Sequence, residues 1–230
     1  MTPKAILLDI EGTVGDIAFV KTVLFPFARE RLERFVTAAA DEPEVATAIE
    51  ATRALMDAPD AELAAVIAQL AAWADADQKI GPLKTIQGLI WHGGFEGGAL
   101  KAHLYDDAVA AMRRWHGEGK RLAIYSSGSV AAQKDYFAHS VAGSLSALLS
   151  GHFDTATGAK GEPASYGKIA AALGLAPGEI LFFSEAPAEV RAALAAGMQA
   201  IRVDRALAPD ARLLDDEGQT VIGSFAAAGV

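Results

Sequence analysis

A run of apolar residues near the N-terminus, Ala5–Leu8, ends abruptly at Asp9. Because both faces of such a run are apolar, we expect a strand that is buried on both sides in a parallel sheet. Glu11 and a Gly12-Thr13 turn follow directly. Ligands of open α/β sheets bind beyond the carboxyl ends of strands, and side chains at i and i+2 can project on the same side. The pattern therefore predicts a site of chemistry at Asp9 and Glu11, with a structural strand followed by a polar turn as the alternative.

The segment 17–98 has a different pattern, because its apolar positions recur at helical spacing and no apolar run typical of a buried strand interrupts them. Prolines near the predicted helix starts are tolerated, since the first N–H groups of a helix are unpaired in any case. We predict four helices, which span Phe25–Phe35, Glu44–Met56, Ala61–Trp73 and Pro82–Trp91. The glycine-rich stretch Gly93–Gly98 predicts a flexible, hinge-like loop after the last of them.

From residue 106 onward, helical patterns alternate with short apolar runs, which is typical of βαβ units and a parallel sheet. The predicted helices are Asp106–Glu118, Ser129–Ala138, Tyr166–Leu173 and Ala188–Ala196. The predicted strands are Arg121–Tyr125, Ile180–Phe183 and Gln199–Val203. A lone first strand is not stable, so it must pair with these later strands. We therefore predict an α/β fold: a Rossmann-like parallel-sheet core formed by residues 1–16 and 99–230, with an all-helical domain inserted at 17–98.

Composition excludes several classes of function. The 230 residues are 52% hydrophobic and 21% charged, as in globular proteins, and the absence of cysteine excludes disulfides and thiol catalysis. The formal net charge of −9 argues against nucleic-acid binding, which needs a cationic surface. The N-terminal stretch reads as neither a signal peptide nor a membrane span. We expect a cytoplasmic monomer that acts on a small molecule, with no nucleic-acid or membrane partner.

Polar residues also follow the later strands. Ser126 and Ser127 follow the second strand, Ser184-Glu185 follow the third, and Glu189 comes four residues later. Lys160 stands in a loop just before a helix. These strand ends and this loop would bring carboxylates, hydroxyls and an ammonium group to one face. Such a set suits magnesium-dependent phosphoryl transfer, in which a carboxylate attacks phosphorus while the metal and the lysine neutralise its oxygens.

The order Asp9, Ser126, Lys160, Glu185 resembles the haloacid dehalogenase superfamily. Most phosphatases of that superfamily carry a second Asp two residues after the nucleophile, and this chain carries Glu11 instead. With that difference the chain resembles the enolase-phosphatases of methionine salvage. Further stretches carry the resemblance: Asp9–Thr13, Phe19–Pro26, Leu100–Tyr105, Tyr125–Val130 with Gln133-Lys134, and Gly151–Thr155 followed by Gly158, Lys160, Glu162, Ser165 and Tyr166.

The resemblance implies a role for each matching residue. Asp9 would be the nucleophile and a ligand of Mg²⁺, and Glu11 would give its backbone carbonyl to the metal and act as general acid and base. Ser126 and Lys160 would hold the transferring phosphoryl group, with Glu185 as a further metal ligand. The implied substrate is 2,3-diketo-5-methylthiopentyl 1-phosphate, which is enolised and then dephosphorylated to the acireductone. Further residues are expected next to the substrate: Ser127 and Gly128, and, on the inserted domain that forms a cap in this family, Lys84, Gln87 and Trp91.

Two departures from the family pattern stand out. The metal ligand after the third strand is usually Asp, and Glu185 is one methylene longer, so the ion could be bound directly, through water, or weakly. Arg205-Ala206-Leu207 replaces an Arg-Pro-Gly turn, which affects only the local loop. Three alternatives stay open: another phosphomonoesterase of the superfamily, a hydrolytic dehalogenase, or a non-catalytic binding protein on the same fold.

Overall fold

The structure is a computed structural model that describes residues 2–230. Within these residues the strands form one sheet in the order β3-β2-β1-β4-β5-β7-β6. All neighbouring strands are parallel except β6 and β7, which are antiparallel. The strands are β1 (Ala5–Leu8), β2 (Arg121–Tyr125), β3 (Leu149–Phe153), β4 (Ile180–Ser184), β5 (Gln199–Val203), β6 (Arg212–Leu214) and β7 (Thr220–Ile222).

The first strand lies at the centre of the sheet, between β2 and β4. Its last residue, Leu8, pairs with Ile124 on one side and Phe183 on the other. All four residues of β1 are fully buried, which confirms the prediction of a strand covered on both faces. Because the three strands are parallel and in register here, the residues that follow them emerge at the same edge of the sheet.

The sequence pattern did not predict β3, β6 or β7. Strand β3 contains Gly151 and His152, and every residue along it is partly or fully exposed, so it has no apolar run. Strands β6 and β7 are three residues each and lie in the weakly patterned tail. These strands therefore depend on pairing with neighbours rather than on a local hydrophobic signal.

The chain divides into two compact units, one made of residues up to Ile17 with Lys101–Val230, the other of Ala18–Leu100. The second unit is helical, and residues 18–100, all of which the structure describes, contain no strand. A π-helical turn, Val20–Leu24, follows the first short helix. The helices are α1 (Ile17–Phe19), which crosses the boundary, α2 (Phe25–Ala38), α3 (Pro43–Leu55), α4 (Leu63–Asp75) and α5 (Gly81–Glu96).

The helical unit has a hydrophobic core of its own. Helices α3 and α5 each carry a proline in the first two positions, where its missing N–H leaves no bond unmade. Helix α2 follows directly on the π-helical turn, with Pro26 as its second residue. The apolar faces of α2, α3, α4 and α5 meet in one cluster, formed by Ala28, Leu32, Val36, Val45, Ala48, Ile49, Val66, Leu70, Leu83, Ile86 and Ile90. The predicted helical segments therefore pack by the amphipathic pattern that indicated them.

The prediction of a flexible glycine loop at 93–98 is wrong for its first half. Helix α5 continues through Gly93 and Gly94 and ends at Glu96. A Cβ atom at Gly94 would lie 2.6 Å from the ring of Phe27 and 2.8 Å from Leu100. Gly94 is therefore a close-packing position inside a helix, and only Gly98, with φ of +72°, has a backbone that favours glycine for its conformation.

Helices cover both faces of the sheet in the first unit. The helices are α6 (Asp106–Gly117), α7 (Val130–Ala138), α8 (Pro163–Leu173) and α9 (Pro187–Ala195). Helices α8 and α9 pack on the face that carries Leu7 and Phe182. On α6, Trp115 stacks on Phe183 with ring centroids 5.4 Å apart. The predicted α/β class is therefore confirmed. In the described residues, no helix combines the length and the apolar character needed to cross a membrane.

Gly93 and Gly94 provide a matched test of this packing. We expect Gly94→Ala to lower the free energy of unfolding by about 1–3 kcal/mol, because the new methyl group overpacks the Phe27 ring. Gly93→Ala meets no atom within 4 Å, and we expect it to stabilise the helix by about 0.5–1 kcal/mol. Thermal and urea unfolding followed by circular dichroism measure both, and equal effects of the two variants would contradict the packing argument.

Candidate active site

Asp9 lies one residue beyond β1, at the middle of the sheet edge, and is only 3% exposed. Its amide donates to the carbonyl of Phe183 at 3.0 Å, which extends the ladder by one bond. The chain then turns, because the Ile10 carbonyl accepts the amides of Thr13, Val14 and Gly15. Glu11 therefore lies in a turn, and the turn rather than strand alternation sets its position relative to Asp9.

An ammonium group bridges two carboxylates at this edge. Lys160 Nζ lies 2.5 Å from Asp9 Oδ1 and 2.7 Å from Glu189 Oε2. Glu189 also accepts a hydrogen bond from Ser184 Oγ at 2.7 Å. The Lys160 side chain is 11% exposed and that of Asp9 4%, so both charges lie largely out of water. Strand β1, strand β4 and the loop before α8 are thus joined by one buried ionic cluster.

The loop that carries Lys160 is held by hydroxyl groups on its backbone carbonyls. The Tyr166 hydroxyl donates to the Lys160 carbonyl at 2.7 Å, and the Tyr125 hydroxyl donates to that of Gly158 at 2.9 Å. Ser165 Oγ donates to the carbonyl of Ala159 at 2.8 Å. A Cβ atom at Gly158 would lie 2.2 Å from Ser165 Oγ, so glycine is required for this approach. These bonds fix the point from which the lysine side chain reaches Asp9.

Thr13 connects Asp9 to Glu185. Its Oγ1 lies 3.1 Å from Asp9 Oδ2 and 3.2 Å from Glu185 Oε2, and it accepts the amide of Glu185 at 3.0 Å. Asp9 therefore has two different sides. Its Oδ1 faces the ammonium of Lys160, and its Oδ2 faces a hydroxyl and a second carboxylate.

The surroundings shift the pKa values of these groups. Burial, together with the hydrogen bond and the charge of Glu185, raises the pKa of Asp9 to about 7, against the opposing effect of Lys160. Burial alone would lower the pKa of Lys160, but the charges of Asp9 and Glu189 outweigh it and raise that pKa. Burial and the charge of Asp9 raise the pKa of Glu189. The lysine is thus held protonated, and the carboxylates compete for positive charge.

Ser126 follows β2 at the same edge, next to β1. It is 3% exposed, its amide donates to the Phe153 carbonyl at 3.2 Å, and its Oγ accepts the amide of Gly128 at 3.2 Å. Gln133, to which the sequence assigned no role, is buried and donates from Nε2 to the carbonyls of Gly128 and Phe153, at 2.9 and 2.8 Å. The Gln133 side chain thus holds the loop 126–128 in place, and no local sequence pattern indicates this role.

The structure brings together Asp9, Lys160 and Glu185, which the sequence predicted as one site. The roles of Ser126, Ser127 and Gly128 stay predictions, although the loop lies on the neighbouring strand end. The charge of Glu11 contributes to a raised pKa of Tyr136, whose largest cause is burial. Glu11 is thus near a buried tyrosine hydroxyl.

The three residues predicted for the cap lie in the helical unit. Gln87 is buried. Trp91 donates its indole N–H to the Leu24 carbonyl at 2.7 Å and stacks on Phe25 with ring centroids 5.9 Å apart. Trp91 therefore has a packing role inside its own unit. Contact of Lys84, Gln87 and Trp91 with substrate stays a prediction.

The donor set at Asp9 fits a hard divalent cation. Two carboxylates, Asp9 and Glu185, approach one another through Thr13, and the proximity of Glu185 contributes to the raised pKa of Asp9. A cation beside Asp9 and Glu185 would remove that repulsion. Mg²⁺ usually takes one or two carboxylates from the protein and keeps several waters. Among residues 2–230, no group of three or more His, Asp or Glu side chains forms a metal site by itself.

Comparisons with known proteins identify related chains. The family model described as haloacid dehalogenase-like hydrolase matches residues 3–197. The chain is 50% identical over 224 residues to the enolase-phosphatase E1 of Parvibaculum lavamentivorans, covering 97% of this chain and 94% of that protein. The crystal structure of the Unknown transcript 4 protein of Saccharomyces cerevisiae matches with a TM-score of 0.80 and 31% identity, over 97% and 99% of the two chains.

The similarity to a dehalogenase of known structure is a similarity of fold only. The L-2-haloacid dehalogenase of Xanthobacter autotrophicus matches with a TM-score of 0.53 and 22% identity, over 90% of this chain and 79% of that one.

Replacement of Lys160 tests the ionic cluster without reference to activity. We expect Lys160→Met to lower the free energy of unfolding by about 3–5 kcal/mol at pH 8, because it leaves two buried carboxylates without their cation. The control is Lys4→Met, since Lys4 is 67% exposed in its pair with Glu179, and we expect a change of about 0–1 kcal/mol. Chemical denaturation of the metal-free protein measures both, and similar losses would show that the cluster contributes little.

Proposed function

Because the chain belongs to the haloacid dehalogenase-like hydrolases and, within them, to the enolase-phosphatases, we propose that it enolises and then dephosphorylates 2,3-diketo-5-methylthiopentyl 1-phosphate. Family membership makes the chain a phosphatase. The substrate, the metal and the residue roles below are our proposal. One observation carries it: a buried carboxylate, Asp9, is held 2.5 Å from Lys160 at the central strand end of a chain with these relatives.

Asp9 is the nucleophile of the phosphatase step. One of its oxygens forms a bond to phosphorus while the bond from phosphorus to the substrate's C1 oxygen breaks, which gives an aspartyl phosphate. Lys160 supports this step by keeping its positive charge, which its raised pKa ensures, beside the phosphoryl oxygens as they gather negative charge. Glu189 holds Lys160 from the other side and thus keeps the ammonium group directed at Asp9.

Glu11 is the general acid and base. In the first step its carboxyl gives a proton to the departing alkoxide oxygen. In the second it takes a proton from the water that attacks phosphorus, so that phosphate leaves and Asp9 returns as a carboxylate. The position of Glu11 supports this role, because Glu11 lies in the turn two residues after the nucleophile and outside the sheet.

The loop 126–128 holds the phosphoryl group. The Ser126 hydroxyl and a neighbouring backbone amide are suited to bind its oxygens, and Gln133 keeps the loop in place through the Gly128 carbonyl. Ser127 lies beside the substrate in this proposal. Lys84, Gln87 and Trp91 of the helical unit are proposed as its further contacts.

Mg²⁺ would be held by Asp9, the Glu11 carbonyl and Glu185, and when bound it would neutralise the negative charge that develops on the phosphoryl oxygens and on the enolised diketone. Thr13 prepares this site because its hydroxyl lies within hydrogen-bond distance of both carboxylates and donates its one hydrogen between them. We also propose that the protein acts in the cytoplasm as a monomer.

The substrate assignment is tested by following enol absorbance and phosphate release with the diketo phosphate. We expect wild-type protein to perform both steps in the presence of Mg²⁺, and Asp9→Asn to lower phosphate release by at least about 10³-fold, because the amide is not a nucleophile. The control is Asp216→Asn, an exposed residue, which should keep wild-type rates. Turnover of other phosphomonoesters alone would contradict the assignment, as would halide release from a haloacid without Mg²⁺.

Glu185 is tested through metal binding. We expect Glu185→Gln to weaken Mg²⁺ binding by at least about tenfold, since it removes one of two charged ligands. Isothermal titration calorimetry with Mg²⁺ measures this directly. Glu217→Gln, at an exposed pair with Arg191, is the control and should bind as wild type does. Equal Mg²⁺ affinities for wild type, Glu185→Gln and Glu217→Gln would show that Glu185 is not a metal ligand.

A further inference from the structure

Arg205 lies far from Asp9 in sequence but bonds to the turn that follows it. Its Nε and Nη2 both donate to the Thr13 carbonyl, at 3.2 and 2.5 Å. Its Nη1 donates to both oxygens of Asp107, at 3.0 and 2.8 Å. One guanidinium thus connects the active-site turn to the first turn of α6. A planar guanidinium directs its donors at both acceptors in a fixed geometry, whereas an ammonium group is a point charge whose three donors rotate freely.

The guanidinium is itself held in place. It lies over the ring of Tyr105, 4.2 Å from the centroid, and within 5.1 Å of the centroid of Phe225. Asp107 Oδ2 also accepts the amide of Phe225 at 2.8 Å. Because Tyr105, Asp107 and Phe225 all belong to the packed first unit, Arg205 has a fixed anchor from which to act on the turn.

Thr13 connects this anchor to the carboxylates of the proposed active site. Its carbonyl binds Arg205, and its hydroxyl contacts Asp9 and Glu185. The residue is fully buried, so a shift of its backbone moves the hydroxyl against both carboxylates. Val14 adds a second anchor, since its carbonyl accepts the amide of Tyr105 at 2.9 Å.

We propose that Arg205 is a positioning residue of the active site, which clamps the Thr13 carbonyl so that the Thr13 hydroxyl holds Asp9 and Glu185 at the separation that the reaction needs. This inference rests on the proposed function for its catalytic consequence. It differs from a purely structural role, because the contacts predict a loss in the chemical step without a matching loss in substrate binding.

The experiment compares Arg205→Met and Arg205→Lys with Arg212→Met. Arg212 also donates to backbone carbonyls, those of Ala227 and Ala228 in the C-terminal segment, without a contact to Thr13. We expect Arg205→Met to lower kcat at least about tenfold with KM within about threefold, because a misplaced nucleophile slows chemistry more than binding. The kcat of Arg205→Lys should lie between those of wild type and Arg205→Met. Arg212→Met should keep the wild-type kcat.

Two further readouts are independent of turnover. Hydrogen exchange followed by mass spectrometry should rise in the peptide 11–15 for Arg205→Met but not for Arg212→Met. Calorimetry should show weaker binding of Mg²⁺ alone to Arg205→Met. If Arg205→Met does not fold, Arg205→Lys and Asp107→Asn, which weakens the same anchor, take its place.

The outcomes separate this inference from the proposed function. A kcat of Arg205→Met equal to that of Arg212→Met, or unchanged exchange in the peptide 11–15, overturns the positioning role. If wild-type protein hydrolyses p-nitrophenyl phosphate but not the diketo phosphate, only the substrate assignment fails and the same ratios are measured with p-nitrophenyl phosphate. If wild type hydrolyses neither, the proposed function fails, and unchanged exchange and unchanged Mg²⁺ affinity in Arg205→Met would then refute the clamp.

Discussion

The site depends on one buried ammonium group placed between two carboxylates. Lys160 meets Asp9 and Glu189 at 2.5 and 2.7 Å, with most of each side chain removed from water. Removing charges from water costs several kcal/mol per ion, and only close geometry with further hydrogen bonds repays it. The hydroxyls of Tyr125, Tyr166 and Ser165 supply that geometry by holding the carbonyls of the Lys160 loop. The tyrosines are thus both core residues and supports of the site.

The same cluster carries an excess of negative charge. Asp9 and Glu189 share a single lysine, Glu185 approaches the other oxygen of Asp9 at the Thr13 hydroxyl, and burial raises the pKa values of Asp9 and Glu189. An arrangement of this kind has low energy only when a proton or a further cation joins it. This charge balance supports the divalent cation that we propose and, with it, an anionic phosphoryl group. Its chemistry follows from a local charge balance, although the whole chain carries −9.

The parts of the fold that could be predicted are those with a local signal. Strands β1, β2 and β4 are continuous apolar runs because helices cover both faces, and the helices of the second unit have clear amphipathic spacing. Strand β3 has no such run, and Gly94 was misread because glycine in sequence does not distinguish a loop from a close helix contact. In the site, positions at strand ends and in a loop before a helix predicted that Asp9, Lys160 and Glu185 lie together. Gln133 and Arg205 were missed as positioning groups, since they hold the loop and the turn through backbone carbonyls, which no sequence pattern marks.

Glu185, one methylene longer than an aspartate, has a structural counterpart in the turn after Asp9. Gly12 has φ of +70°, which by itself favours glycine, and a Cβ atom there would lie 3.0 Å from the Cγ of Glu185. The extra methylene of Glu185 therefore packs where any other residue at position 12 would place a side chain. With its stem against Gly12, the carboxylate turns back to within 3.2 Å of the Thr13 hydroxyl. The longer side chain thus reaches the same hydroxyl as Asp9. The extra length of Glu185 therefore does not keep its carboxylate out of the site.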